Sequence, residues 1–406
     1  MIEITYGIAY IGLIFLFLII GLKIKNDFFK IFLFSFDFLI SFLSFFVHPA
    51  KYHFFDTIRF NFLLDTARSI NVKNSYFDGL NWLLHFSEYK GQPLVAFYIW
   101  IYTFFENNGF FFFGTTFLFI SIVIVLLLLS KKYFSLTNNS VVLTLFFFFG
   151  SFNMFFEVEG VRNFLSFIIL TLCLFIDIFN SDLNKRKIYV YLGYLIAILM
   201  HPFSIIFILL RFSLLFINEF KLGNLIKYIF FEIVLTYNLL VLIFVNLLSN
   251  ISNLPFVGLI IDKMQHYIAG QTNFKAHAGL KEIIFTIFLF FILSINFYLF
   301  KKYFEQYLYL SIVKYNEYIF VIILFIIGST LSVQLFLRSI MLLLFMMLPL
   351  IGYMFSLDSN SQVKILGHKI TMNKLILYFK IINILTALIM MIHWYLQTNR
   401  FVMLIL

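Results

Sequence analysis

Charge is scarce in this sequence. Asp, Glu, Lys and Arg together make up 12% of 406 residues while 63% are hydrophobic, against about a quarter charged in an ordinary soluble domain. No stretch of a hundred residues is polar enough to form such a domain, so the chain reads as one integral membrane domain over residues 1–406. Cysteine occurs once, at Cys173 inside an apolar run, which excludes an internal disulfide and a Cys-based metal site. Cofactor motifs are missing as well: there is no Walker lysine loop, no GxGxxG after a strand, no HExxH and no DDxxD-type acidic pair. His266 and His277 lie eleven residues apart without a matching acidic ladder. Neither a metal site nor a cofactor is therefore expected.

Apolar runs fill the space that charge leaves. A membrane span needs roughly 20 apolar residues, and candidates lie near 3–22, 28–47, 110–129, 140–156, 161–180, 188–200, 203–217, 228–248, 283–300, 318–336, 339–356 and 375–395. The expectation is an all-α polytopic membrane protein with about 11–13 transmembrane helices. Lys23 and Lys25 follow the first apolar run instead of preceding it, so that run reads as a retained span and not a signal peptide. Residues 94–105 are apolar but short, which suits a re-entrant or interfacial helix packed against protein. Phe is the most over-represented residue, with 62 copies and runs such as FFFFG at 146–150, and reads as lipid-facing filler.

The formal net charge is +10, yet the basic residues come in short clusters between apolar runs. That distribution suits anionic lipid, not nucleic acid. Placing basic loops in the cytoplasm puts Lys23, Lys25 and Lys30 inside, then Lys131 and Lys132, then Lys185 to Lys187, Lys221 and Lys227, Lys301 to Lys314, and Lys364 to Lys374. This register requires residues 188–217 to form a hairpin turning at His201 and Pro202. The opposite, outer junctions then carry Asp56, Arg59, Asp65, Arg68, Glu157, Glu159, Arg162, His201, His266, His277 and Arg338. Two longer outer segments accompany them. Residues 48–93 include an amphipathic stretch with Trp82 and Phe86 on one helical face, as in an interfacial helix. Residues 249–282 contain Gly270 and Gly279 and could move as a lid.

Three arginines at outer junctions stand out. Arg162 opens an apolar helix, where the helix dipole disfavours a cation unless an anion is nearby. Arg338 interrupts "SVQLFLRSIMLLLF" with nothing acidic within a turn. With Arg59 they form a set suited to phosphate through bidentate, charge-assisted hydrogen bonds. Snorkelling, or pairing with a carboxylate of another helix, is the competing account of each.

Four short stretches carry a resemblance: "DTIRF" at 56–60, "GVRNFLSFIILTLCLF" at 160–175, "YLIAILMHPFSIIFILL" at 194–210 and "LFLRSIMLLLF" at 335–345. In that order they resemble the EpsG-like members of the Wzy-type bacterial polysaccharide polymerases. Phe60 stands where that family usually has Tyr, and Pro202 follows His201 where a small or polar residue is more usual. The resemblance implies a GT-C-like helical architecture in the bacterial cytoplasmic membrane. It implies a polymerase that joins undecaprenyl-pyrophosphate-linked oligosaccharide repeat units into capsular, exopolysaccharide or O-antigen polysaccharide, by metal-independent glycosyl transfer at the outer face. Under it Arg162 and Arg338, with Arg59 as a third contact, would bind pyrophosphate. Glu159 and His201, with Asp56 behind them, would be candidates for the base. Membrane lipids, a flippase and a chain-length regulator would be partners. Two readings compete: an O-antigen ligase or lipid-linked glycosyltransferase, and a lipid-linked glycan transporter, for which Asp37 and Asp177 within apolar stretches would be the functional charges.

Overall fold

Backbone N–H and C=O groups have no water to bind inside a bilayer, so apolar runs must satisfy them internally as helices. The computed structural model shows that outcome for residues 3–49, 56–90, 92–152, 160–179, 183–220, 223–248, 280–305, 310–357, 362–365, 368–398 and 402–405, which are the described residues. The chain groups into two compact units, residues 1–204 with 348–406, and residues 205–347.

The first unit contains α1 (Tyr6–Gly21), α2 (Phe29–Phe45), α3 (Asp56–Lys73), α4 (Asp78–His85), α5 (Pro93–Tyr102), α6 (Gly109–Phe134), α7 (Asn138–Ser151), α8 (Val161–Phe179) and α9 (Leu183–Met200). The second holds most of α10 (Ser204–Glu219), then α11 (Gly223–Leu248), α12 (Leu280–Tyr303), α13 (Leu310–Gly328) and the first part of α14 (Val333–Ser356). The chain returns to the first unit for the rest of α14 and for α15 (Met372–Thr398). Short strands are the exception to the helical rule. β1 (Glu3–Thr5) and β2 (Val47–Pro49) both pair antiparallel with β5 (Val402–Ile405), and β3 (Gln362–Ile365) pairs with β4 (His368–Thr371) as a hairpin.

Among the described residues seven helices are long and apolar enough to cross a membrane, and four shorter apolar helices accompany them. The protein is therefore a multi-pass, all-α membrane protein. The short apolar stretch expected near 94–105 is α5, which opens with Pro93 at its first helical position, where the missing N–H costs nothing. The segment 48–93 holds two helices among its described residues. Besides α4 near the expected interfacial helix, it contains the eighteen-residue α3. The expected turn at His201 is present as a break, with α9 ending at Met200 and α10 starting at Ser204.

One boundary differs from the sequence expectation. The break expected between spans near residue 337 lies at Ser329–Leu331, a single 3-10 turn, so Arg338 sits inside α14 and not at its mouth. The chain leaves helical geometry at Ser332 (φ −117°, ψ 97°), and just before it α13 packs closely on α11: a Cβ at Gly328 would stand 2.5 Å from the Leu235 carbonyl oxygen. The Phe run also departs from expectation. Phe146 to Phe149 are buried, at 1% exposure or less, because α7 is enclosed by its neighbours instead of facing lipid.

Lipid tails are as apolar as Phe, so burial in a bilayer is driven by close packing and interhelical hydrogen bonds more than by the hydrophobic effect. Both are visible. Tyr10 donates to the Phe149 carbonyl at 2.9 Å, tying α1 to α7, and Trp394 Nε1 donates to the Ser151 carbonyl at 3.2 Å, tying α15 to α7. A Cβ at Gly193 would collide with Cys173 Sγ, so the small residue lets α9 close on α8 and gives the lone cysteine a packing role. Asp37, fully buried in α2, accepts from Ser41 at 3.0 Å and from Ser121 of α6 at 2.6 Å, while Thr116 donates to Ser44 at 3.0 Å further along the same seam.

Within the second unit, Tyr318 donates to the Phe207 carbonyl at 2.7 Å and Tyr315 to the Met346 carbonyl at 2.9 Å. Lys227 meets Glu317 at 2.6 Å, and Asn218 donates to the second oxygen of that carboxylate at 2.8 Å.

Candidate functional site

The site grows from the connection between α4 and α5, of which residues 86–90 and 92 are described. Ser87 shapes it: its hydroxyl donates to the Leu83 carbonyl at 2.6 Å and accepts from the Tyr89 backbone N–H at 3.0 Å. The turn continues with Lys90 N–H to the Ser87 carbonyl at 3.1 Å and Gln92 N–H to the Tyr89 carbonyl at 2.9 Å. These bonds hold three polar groups of the loop, Glu88, Tyr89 and Gln92, in set positions.

Two of the three singled-out arginines converge on this loop. Arg59, on α3, forms an ion pair with Glu88. Arg162, in the first turn of α8, donates through Nη1 to Gln92 Oε1 at 3.0 Å, and its guanidinium lies 4.5 Å from the centre of the Tyr89 ring. Phe60, next to Arg59, packs its ring nearly parallel to that of Tyr89 with centroids 6.2 Å apart. Adjacent residues of α3 therefore grip adjacent residues of the loop, by charge and by ring. Phe60 is buried, with its ring against that of Tyr89.

The cradle of Arg162 is chemically unusual. Cations are disfavoured at a helix N-terminus, and among the described residues no carboxylate offsets this one. A neutral amide and an aromatic face hold it instead, the latter through the attraction of a cation to the ring quadrupole. Gln92 occupies the N-cap position of α5 yet makes no side-chain cap there. Its amide oxygen serves Arg162. The neighbouring Asn163 has a buried Oδ1 with no hydrogen-bond partner among the described residues.

His201 joins the same region through α8. Ser166, one turn beyond Arg162, donates to the Ala197 carbonyl at 2.7 Å and shares a hydrogen bond with Ser204, so it brackets the turn that carries His201. The imidazole lies 6.3 Å from the Phe167 ring and 6.2 Å from the Phe203 ring.

The other candidates stand differently. Asp56 is the first residue of α3. Arg338 belongs to the second unit, half-buried in α14. Glu157, Glu159, His266 and His277 lie outside the described residues, as do residues 249–279 of the segment read as a lid. Among the described residues no group of three His, Cys, Asp or Glu side chains could hold a metal ion.

Nothing in the sequence singles out Glu88, Tyr89 and Gln92. Their signal is weak: one acid and one amide within a segment whose pattern is dominated by its Trp82 and Phe86 face. Arg211 is equally inconspicuous, yet it is buried at 6% exposure in α10 beside Tyr318. A second network joins Asp65 and Arg68, both singled out in the sequence, to Asn108, which is not. Arg68 donates to Asp65 at 2.9 Å and to Asn108 at 2.7 Å, and Asn108 donates back to Asp65 at 2.9 Å. It fastens α3 to the start of α6.

No curated protein matches the chain, and neither does any solved structure. A family model does: the EpsG family matches residues 93–404, a range that holds Arg162, His201 and Arg338 and stops short of Arg59 and Glu88. With over half of its length matched, the chain belongs to the EpsG family.

Proposed function

We propose that this protein is a Wzy-type polysaccharide polymerase. It transfers the glycan attached to one undecaprenyl-pyrophosphate carrier to a hydroxyl of another lipid-linked unit, at the outer face of the bacterial cytoplasmic membrane. The bond that breaks joins the sugar's anomeric carbon to the pyrophosphate oxygen. The bond that forms joins that carbon to the acceptor oxygen, whose proton passes to a base.

One observation carries this reading: in a chain of this family, the guanidinium groups of Arg59 and Arg162 converge on a single short loop. Pyrophosphate is already a good leaving group. Fixed guanidinium donors aimed at its developing charge supply the remaining stabilisation in a water-poor site. Arg162 is the first contact in this scheme and Arg338 a second; Arg59, which pairs with Glu88, is a third only on exchanging that carboxylate for pyrophosphate. Glu159 and His201 are the candidate bases, with Asp56 behind them. Polymer size and amount in cells lacking the native protein test the proposal. Arg162→Lys and Arg338→Lys abolish polymer at unchanged protein level, because a lysine ammonium has neither the fork nor the plane of a guanidinium. Full-length polymer from either variant removes that arginine from the site.

The side of the membrane is tested by labelling introduced cysteines at Ser75 and Asn180 in a Cys173→Ser background. Ser75 labels from outside and Asn180 does not. The reverse pattern would place the arginines on the cytoplasmic face and end the proposal.

A further inference from the structure

We infer that Gln92 and Tyr89 are positioning residues that hold the Arg162 guanidinium ready for an anionic ligand without themselves neutralising its charge. The inference rests on the function proposed above and adds to it how the site is kept ready. Three observations carry it. The amide of Gln92 is spent on Arg162 at 3.0 Å although Gln92 stands at a helix N-cap. The Tyr89 ring lies 4.5 Å from the guanidinium carbon and is itself fixed, 2% exposed and stacked on Phe60. The loop that carries both is braced by Ser87 and by two turn hydrogen bonds.

The chemistry of this pair differs from that of a structural ion pair. A guanidinium has five N–H donors, and the amide takes one of them. An aromatic face takes none and holds the plane from the side. Among the described residues, what remains is a cation with a set orientation and open donor edges, which is what a diphosphate requires for bidentate binding. The nearby Arg59 shows the contrast: a carboxylate, Glu88, already occupies it.

The two roles predict opposite outcomes for one substitution. If Gln92 only stabilised the fold, Gln92→Glu would be harmless or favourable, because a carboxylate accepts from guanidinium more strongly than an amide does. If Gln92 holds a guanidinium meant for an anion, Gln92→Glu fills the site with a competing charge.

The probes are inorganic pyrophosphate and undecaprenyl pyrophosphate, titrated against the purified full-length chain in micelles. Retained size-exclusion behaviour and thermal midpoint certify that each variant is folded. Gln92→Glu binds both probes about tenfold or more weakly, the size expected of a like-charge juxtaposition, and raises KM for the lipid-linked donor more than it lowers kcat. Gln92→Ala loses less. Tyr89→Leu also weakens binding, and Tyr89→Phe restores it, since the ring and not the hydroxyl faces the guanidinium. Wild-type binding by Gln92→Glu alongside lost binding by Arg162→Ala overturns this inference and leaves the proposed function standing. Wild-type binding by Arg162→Ala overturns both.

Discussion

Two charged side chains of this protein are each met by neutral partners, and they are built to opposite ends. Asp37 lies fully buried between α2 and α6, and each of its oxygens accepts a serine hydroxyl. Arg162 is half-buried at the start of α8, and among the described residues one of its five donors is used, by Gln92, while a ring supports its plane. The first group is closed on both sides by the helices it joins. The second is oriented but left with capacity. A charge in an apolar chain is thus not functional by rarity alone; what separates the two is how much hydrogen-bonding capacity the fold leaves over. On this ground Asp37 is a packing device, a polar clasp between two spans.

The strongest test of this contrast is on activity. Arg162→Ala lowers polymerisation by about 10²- to 10³-fold, the usual loss when one charge-stabilising donor is removed, with the unfolding midpoint unchanged; a radiolabelled-repeat-unit assay measures it. Asp37→Ala does the reverse. It strands the hydroxyls of Ser41 and Ser121 and costs about 1–3 kcal/mol of stability, read as a lower thermal midpoint in micelles, while turnover of the folded fraction stays at wild type. Asp37→Asn keeps an acceptor and recovers most of the stability. Loss of turnover in Asp37→Asn would place Asp37 in the chemistry and erase the contrast.

A weaker effect concerns Arg59 and Glu88. Their side chains are 49% and 31% exposed, so a double-mutant cycle of Arg59→Gln and Glu88→Gln yields a coupling of only about 0.2–1 kcal/mol in stability. A coupling well above that range would show the pair to be a structural anchor of the loop, comparable to the Asp65–Arg68–Asn108 network.

Some of this is legible in the amino-acid sequence. Arg162 at a helix mouth violates the dipole preference, which points to an anion beside it; among the described residues its partners are a neutral amide and a ring. Pro93 after a turn marks the start of α5, and His201–Pro202 marks the break before α10. Other features have no local signature. Glu88, Tyr89 and Gln92 lie some seventy residues before Arg162 in the chain, and nothing in their own spacing points to it. The FFFFG run reads as lipid-facing filler because composition carries no information about which helices surround it.

Sequence alone is enough to establish a multi-pass helical membrane protein, roughly where its spans lie and which arginines are out of place, because span length, helix-breaking residues and dipole conflicts all act within a turn or two of backbone. Tertiary packing settles the rest: that Gly328 lies close against Leu235, that α7 is enclosed, that Asp37 accepts from Ser121, and that Arg162 rests on Tyr89 and Gln92. Each of these depends on surfaces that meet across long sequence separations. In lipid, where apolar burial does not distinguish one helix partner from another, close packing and a few directional hydrogen bonds select which surfaces those are.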